Sequence, residues 1–162
     1  MSSAPAHEII LVPARDALRQ QCYDVRIAVF HREQGFPLDT EIDDLDASAT
    51  HFLLRLTPSL TPVGTIRCTK HARYYKLSRL AVLADCRRFR LGRALVLALH
   101  AHVQQDAQHS GARDGDAVLV RAHSQLPARG FYAKLGYQPE GEEFDEDGAP
   151  HQLMVARLPL SD

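Results

Sequence analysis

Polar and apolar positions along this chain settle into two rhythms, one of strands and one of helices. Short apolar runs at Glu8–Val12, His51–Thr57, Val63–Lys70, Tyr74–Leu83, Ala117–Ala122 and Gln152–Leu158 predict strands. Helical spacing appears in Leu18, Cys22, Val25 and Val29, a single apolar stripe that Asp16 opens and that Gly35 and Pro37 stop. A second stripe follows in Leu95, Leu99 and Val103, and Gln125 to Leu135 predicts a third helix, ended by Gly136. Pro58 and Pro62 bound the turn of an antiparallel hairpin, and Asp147-Gly148 forms the turn of another near the C-terminus. Strands that begin antiparallel and then run into a helix predict an α/β (α+β) architecture without the glycine signature of a Rossmann unit.

Length and composition narrow this picture. The 162 residues suit one domain, 1–162, and 45% hydrophobic with 24% charged residues is the balance of an ordinary globular chain. The formal net charge is −1, so nothing global argues for nucleic acid, and few aromatics interleave with the one basic cluster. No apolar run reaches the roughly 18 residues of a membrane span. The N-terminus has no secretory pattern, and Cys22, Cys68 and Cys86 form no framework, so a cytoplasmic protein with reduced thiols is expected. The histidines are scattered, with His100 and His102 on different faces of one helix, so no metal is expected. A polar loop, Gln108 to Asp116, contains Gly111 and Gly115.

Between the strand that contains Leu80, Ala81 and Val82 and the stripe that begins at Leu95 lies the turn Arg87-Arg88-Phe89-Arg90-Leu91-Gly92, followed by Arg93 and Ala94. A strand, a basic turn and a helix start make an anion site, because unpaired N–H groups and the positive end of the helix dipole converge there. Guanidinium groups chelate phosphate oxygens in pairs, so a pyrophosphate is the expected ligand. The segment resembles the acetyl-CoA motif Q/R-x-x-G-x-G/A of the GNAT N-acetyltransferase superfamily, with Arg87 at its first position and Gly92 at its last. Arg90 stands where the family has its middle glycine. Two further stretches resemble the ElaA-like branch: R-x-x-V-F-x-x-E-Q from Arg26 to Gln34 with E-x-D-x-x-D from Glu41 to Asp46, and E-x-x-x-E-D-G-x-P-H from Glu142 to His151. F-Y-x-x-L-G-Y, Phe131 to Tyr137, resembles a late GNAT motif.

The resemblance implies a central, mostly antiparallel sheet of about seven strands, splayed between the fourth and fifth, with about four helices. It implies acetyl-CoA as cosubstrate, held at Leu80, Ala81, Val82, Arg87, Arg88, Phe89, Arg90, Leu91, Gly92, Arg93, Ala94, His123 and Tyr132. An amine acceptor would meet Phe30, Glu33, Gln34, Asp43 and Asp46. Tyr132 is the implied general acid, since a phenol stays protonated at neutral pH. Glu33, Asp43, Asp46, His51 and His123 are all able to act as a base, and the resemblance favours Glu33. Some GNAT members carry a glutamate early in the strand entering the turn, but Tyr74 to Ser78 supplies none. An acyl-CoA-binding module without efficient chemistry is the alternative. A homodimer is expected if the C-terminal strand Gln152–Leu158 is an edge that pairs across a two-fold axis.

Overall fold

The computed structural model describes residues 3–13, 16–110 and 112–160; Gly111 of the polar loop lies outside them. Seven strands run β1 (His7–Val12), β2 (Thr50–Leu56), β3 (Pro62–Lys70), β4 (Tyr75–Val82), β5 (Ala117–Gln125), β6 (Tyr137–Glu146) and β7 (Ala149–Pro159). They form one mixed sheet in the order β1-β2-β3-β4-β5-β7-β6, parallel only between β4 and β5. Its flanking helical elements are α1 (Arg19–Arg26), the π-helical segment Ile27–Glu33 that continues it, α2 (Leu91–Ser110) and α3 (Arg129–Ala133).

The chain divides into two compact units, one of residues 1–69 with 79–99 and one of 70–78 with 100–162. In the first, the predicted stripe divides between two apolar clusters. Cys22 packs with Val12 and Leu53, whereas Val25 and Val29 pack with Ala81 and the partly buried Phe30 and Leu83. The expected single helix changes to π geometry after Arg26, where the widened turn carries the second half of that stripe. Gly64 of β3 is small for a reason: a Cβ there would lie 3.0 Å from Leu95 Cδ1. In the second unit, Val118, Val120 and Ala122 of β5 share their buried face with Met154 and Ala156 of β7.

Two expectations are corrected by the fold. The strand that holds Gln152–Leu158 is no edge, because β7 pairs with β5 on one side and β6 on the other. Its backbone donors and acceptors are taken up inside the sheet, which removes the basis for the expected two-fold pairing. The third helix is also shorter than expected. Leu126–Ala128 forms a 3-10 turn around Pro127, and α3 ends by Lys134, before Gly136 at φ +94°.

Candidate active site

β4 changes character at Arg79. Its first residues alternate between buried and half-exposed, and Tyr75–Leu77 pair in parallel with Val120–Ala122. Arg79 then takes φ +53°, a left-handed conformation rare inside a strand, after which the alternation loses phase. The pairing with β5 has already stopped at Leu77. A strand bent in this way has backbone groups in its Leu80–Val82 stretch that the β5 ladder does not use. The Arg79 guanidinium anchors the bend by donating to Thr40 O at 2.8 Å and to Asp43 Oδ2 at 3.3 Å.

Beyond Val82 the chain makes a 3-10 turn, Ala84–Phe89, which Arg90 closes at φ +60°, ψ +28°. That left-handed backbone conformation is one glycine adopts without cost, and here an arginine holds it. The Arg90 side chain is exposed and leaves the turn uncrowded. Arg88 and Arg93 are exposed, and the Arg88 guanidinium sits 4.8 Å from the Phe89 ring centroid. Leu91 is buried in the core, so only its backbone is available for a ligand, while Gly92 and Ala94 are half-buried on the first turn of α2. That turn carries no acidic residue. Arg88, Arg90 and Arg93 are exposed charges near its leading N–H groups, with Asp85 earlier in the 3-10 turn.

Arg87 is occupied. Its Nε donates to Val82 O at 2.9 Å, and both terminal nitrogens donate to the two carboxylate oxygens of Glu33. Those hydrogen bonds hold Glu33 below the usual carboxylate range and raise Arg87. A carboxylate with both oxygens on one guanidinium is a weak proton acceptor. Phe30 packs into the apolar cluster of Ala81, and Gln34 lies exposed where the π-helical segment ends.

The acidic loop is mostly folded inward. Asp46, 2% exposed, accepts from Arg26 at 2.8 and 3.1 Å and from Arg67 at 3.1 Å, with the Asp43 N–H adding a bond at 2.8 Å. Burial opposes its ionisation, but these donors outweigh it and hold the carboxyl far below its ordinary range. Asp46 thus serves as the buried counter-ion of Arg26 and Arg67. Asp43 is half-exposed and tied to Arg67 and Arg79, while Asp39 and Asp44 remain exposed. His51 is fully buried, lies 3.0 Å from Asp46 O through Nε2, and is held below its usual pKa by desolvation.

In the second unit, Tyr132 is 7% exposed and packs edge-on against Phe131 and Tyr137. Among the described residues its hydroxyl makes no hydrogen bond, and desolvation raises its pKa further above the ordinary phenol value. It stays protonated throughout the working range of an enzyme. His123 half-emerges from β5 with Nδ1 2.8 Å from Glu146 Oε1, and His151 Nε2 lies 3.7 Å from Glu146 Oε2. Glu146 was not among the sequence-derived site residues. The Asp147-Gly148 turn sets its register opposite Ala149, and that was the signal available. Among the described residues, no three His, Cys, Asp or Glu side chains are grouped to hold a metal, and no helix is long and apolar enough to cross a membrane.

A seven-strand mixed sheet, parallel only between β4 and β5, fits the fold of the GNAT acyltransferases. Residues 19–158 match the acetyltransferase (GNAT) domain family, and the chain belongs to it. It is 36% identical over 136 residues to a Bacillus subtilis (strain 168) protein described as an acetyltransferase, covering 82% of this chain and 85% of that one. A solved Lactobacillus plantarum structure, described as an N-acetyltransferase, is 31% identical with a TM-score of 0.79, covering 94% and 99% of the two chains. Escherichia coli ElaA shares the fold, with a TM-score of 0.74 at 23% identity over 93% and 99% of the two chains.

Proposed function

We propose that this chain transfers the acetyl group of acetyl-CoA to a primary amine, on a small molecule or a lysine-like side chain, by direct attack within a ternary complex. The observation that carries this reading is the turn between β4 and α2. Arg90 reproduces a glycine backbone there, and the helix start behind it has arginines and no acid. A basic turn at a helix start suits the diphosphate of a CoA thioester. Leu80–Val82 supply backbone groups outside the β5 ladder, and one such N–H suits the thioester oxygen as it gains negative charge. Exposed Asp39 and Asp44 favour a cationic acceptor.

In the reaction, the acceptor ammonium first gives up one proton, and the neutral nitrogen attacks the thioester carbonyl carbon. A C–N bond forms while the carbonyl π electrons move to oxygen. Their return breaks the C–S bond, sulfur leaves with the bonding pair, and the nitrogen sheds its second proton. Tyr132 is assigned the proton donor to sulfur by its place in F-Y-x-x-L-G-Y. Its raised pKa keeps the phenol protonated at neutral pH, so a proton is in place when the thiolate forms.

The test is release of free CoA from acetyl-CoA across an amine panel. Amine-dependent turnover is expected, and Tyr132→Phe should lower kcat by about 100-fold while calorimetric CoA affinity stays unchanged. Saturable CoA binding with no turnover on any amine supports a binding module instead. An unchanged rate in Tyr132→Phe removes the tyrosine from the mechanism.

A further inference from the structure

One face of the second unit is polar where a sheet face is ordinarily apolar. Register puts Lys76 beside Arg121, His123 beside Leu153, and Gln125 beside His151, with Phe144 across from His151 on β6. At its centre Glu146 stands between two imidazoles, and Phe144 packs edge-on to His123 at 5.1 Å and stacked with His151 at 6.1 Å. The hydrogen bonds assign the tautomers. His151 Nδ1 lies 2.8 Å from Ala149 O, which can only accept, so that nitrogen carries a proton. His123 Nδ1 faces a carboxylate held in its charged form by that same hydrogen bond, so it too carries a proton. Neutral His123 must then hold its lone pair on Nε2, which makes no hydrogen bond among the described residues, on a side chain 31% exposed.

A carboxylate that fixes an imidazole in its Nδ1–H tautomer, with Nε2 presented outward, is the arrangement that makes histidine a general base. The position is apt as well. Ala122, the residue before His123, is the last of β5 to pair with β4.

We propose that His123 Nε2 is the general base that takes the first proton from the acceptor ammonium, with Glu146 as its positioning residue; this rests on the transferase reading above. The transfer converts R–NH3+ and neutral imidazole into R–NH2 and imidazolium. Glu146 stabilises that imidazolium, and the proton then passes to solvent. The other ionisable residues that the register brings to these strands are Lys76 on β4, Arg121 on β5, His151 on β7 and Glu140 on β6, opposite Leu153 of β7.

The test begins with an amine that wild-type protein acetylates and follows kcat/KM from pH 5 to 9. His123→Gln should lower kcat/KM at neutral pH by about 100-fold and abolish the limb that rises with pH, with CoA affinity unchanged. Glu146→Gln should cost about 10-fold and move that limb to lower pH, because the imidazolium loses its anion. Nitrogen NMR of the His123 ring in wild-type protein should show the Nδ1–H tautomer, a readout that needs neither turnover nor a variant that folds. If wild type turns over while His123→Gln keeps its rate and its limb, or if the ring carries its proton on Nε2, the base assignment is overturned and the transferase reading stands. If no amine is acetylated, both fall together.

Discussion

Two groupings of acid and histidine in this chain use the same side-chain chemistry to opposite ends. Asp46 with His51 lies at 0–2% exposure, shared by the guanidiniums of Arg26 and Arg67. Glu146 and His123 are about a third exposed, with the buried His151 beside them, and among the described residues no arginine is ion-paired with Glu146. In the first, every carboxylate oxygen is consumed in holding an acidic loop against strands, and the histidine is kept neutral by desolvation. In the second, the carboxylate orients an imidazole and leaves one nitrogen for a partner. Chemically able residues become functional ones only when folding leaves a lone pair unspent.

The comparison breaks most forcefully at Asp46. Asp46→Asn strands two buried guanidiniums and should destabilise the fold by about 3–5 kcal/mol, measured by urea unfolding at pH 7. Glu146→Gln, in its open setting, should change stability by less than about 1 kcal/mol. A similar loss in both variants would erase the distinction. The sign with pH is fixed as well. Asp46 has a folded pKa depressed below its unfolded value of about 3.9, so its contribution is complete above that pH and fades as pH falls through the acid range. The gap between wild type and Asp46→Asn should therefore narrow below about pH 4.

His100 sharpens the contrast by a smaller amount. It is buried beside Tyr137, 2.7 Å from the phenol oxygen, and desolvation lowers its pKa to about 4. Between pH 6.5 and about 4 the unfolded chain binds a proton that the folded one refuses, so stability falls on acidification by up to about 3 kcal/mol and then levels. His51 acts in the same direction. His100→Gln should flatten that slope in equilibrium unfolding across the window, whatever its effect on absolute stability. An unaltered slope would show that His100 titrates normally.

Much of this architecture was legible in the amino-acid order, and the exceptions share a cause. The hairpins, the turn between β4 and α2 and the start of that helix follow from local apolar rhythm and turn residues, which act over a few positions. The status of β7 was not legible, because alternation along Gln152–Leu158 reports which face is buried and is silent on how many neighbours a strand has. The Arg79 bend was hidden for a related reason: an arginine at φ +53° is sustained by Thr40 and Asp43, far away in sequence. The residue types alone do not separate the two acids, since Asp46 and Glu146 carry the same functional group. Only the partners that folding brings to each tell them apart.

Glu33 tests the same lesson where the effect is smallest. Its ion pair with Arg87 is about 40% exposed on each side, so Glu33→Gln should alter stability by less than about 1 kcal/mol. Its consequence lies in binding. Glu33 takes both terminal nitrogens of Arg87, the donors that a diphosphate needs, and a ligand phosphate must compete with that carboxylate for them. Removing the competing charge should lower the KM for acetyl-CoA by about 2- to 5-fold with kcat little changed, a shift within the range of one exposed charge-assisted hydrogen bond. A collapse of kcat in Glu33→Gln, with the donor KM unmoved, would return Glu33 to the role of base and reverse the assignment to His123. Glu33 is spent on Arg87 as Asp46 is spent on Arg26 and Arg67, but at the surface, where solvent and other ions reach the pair.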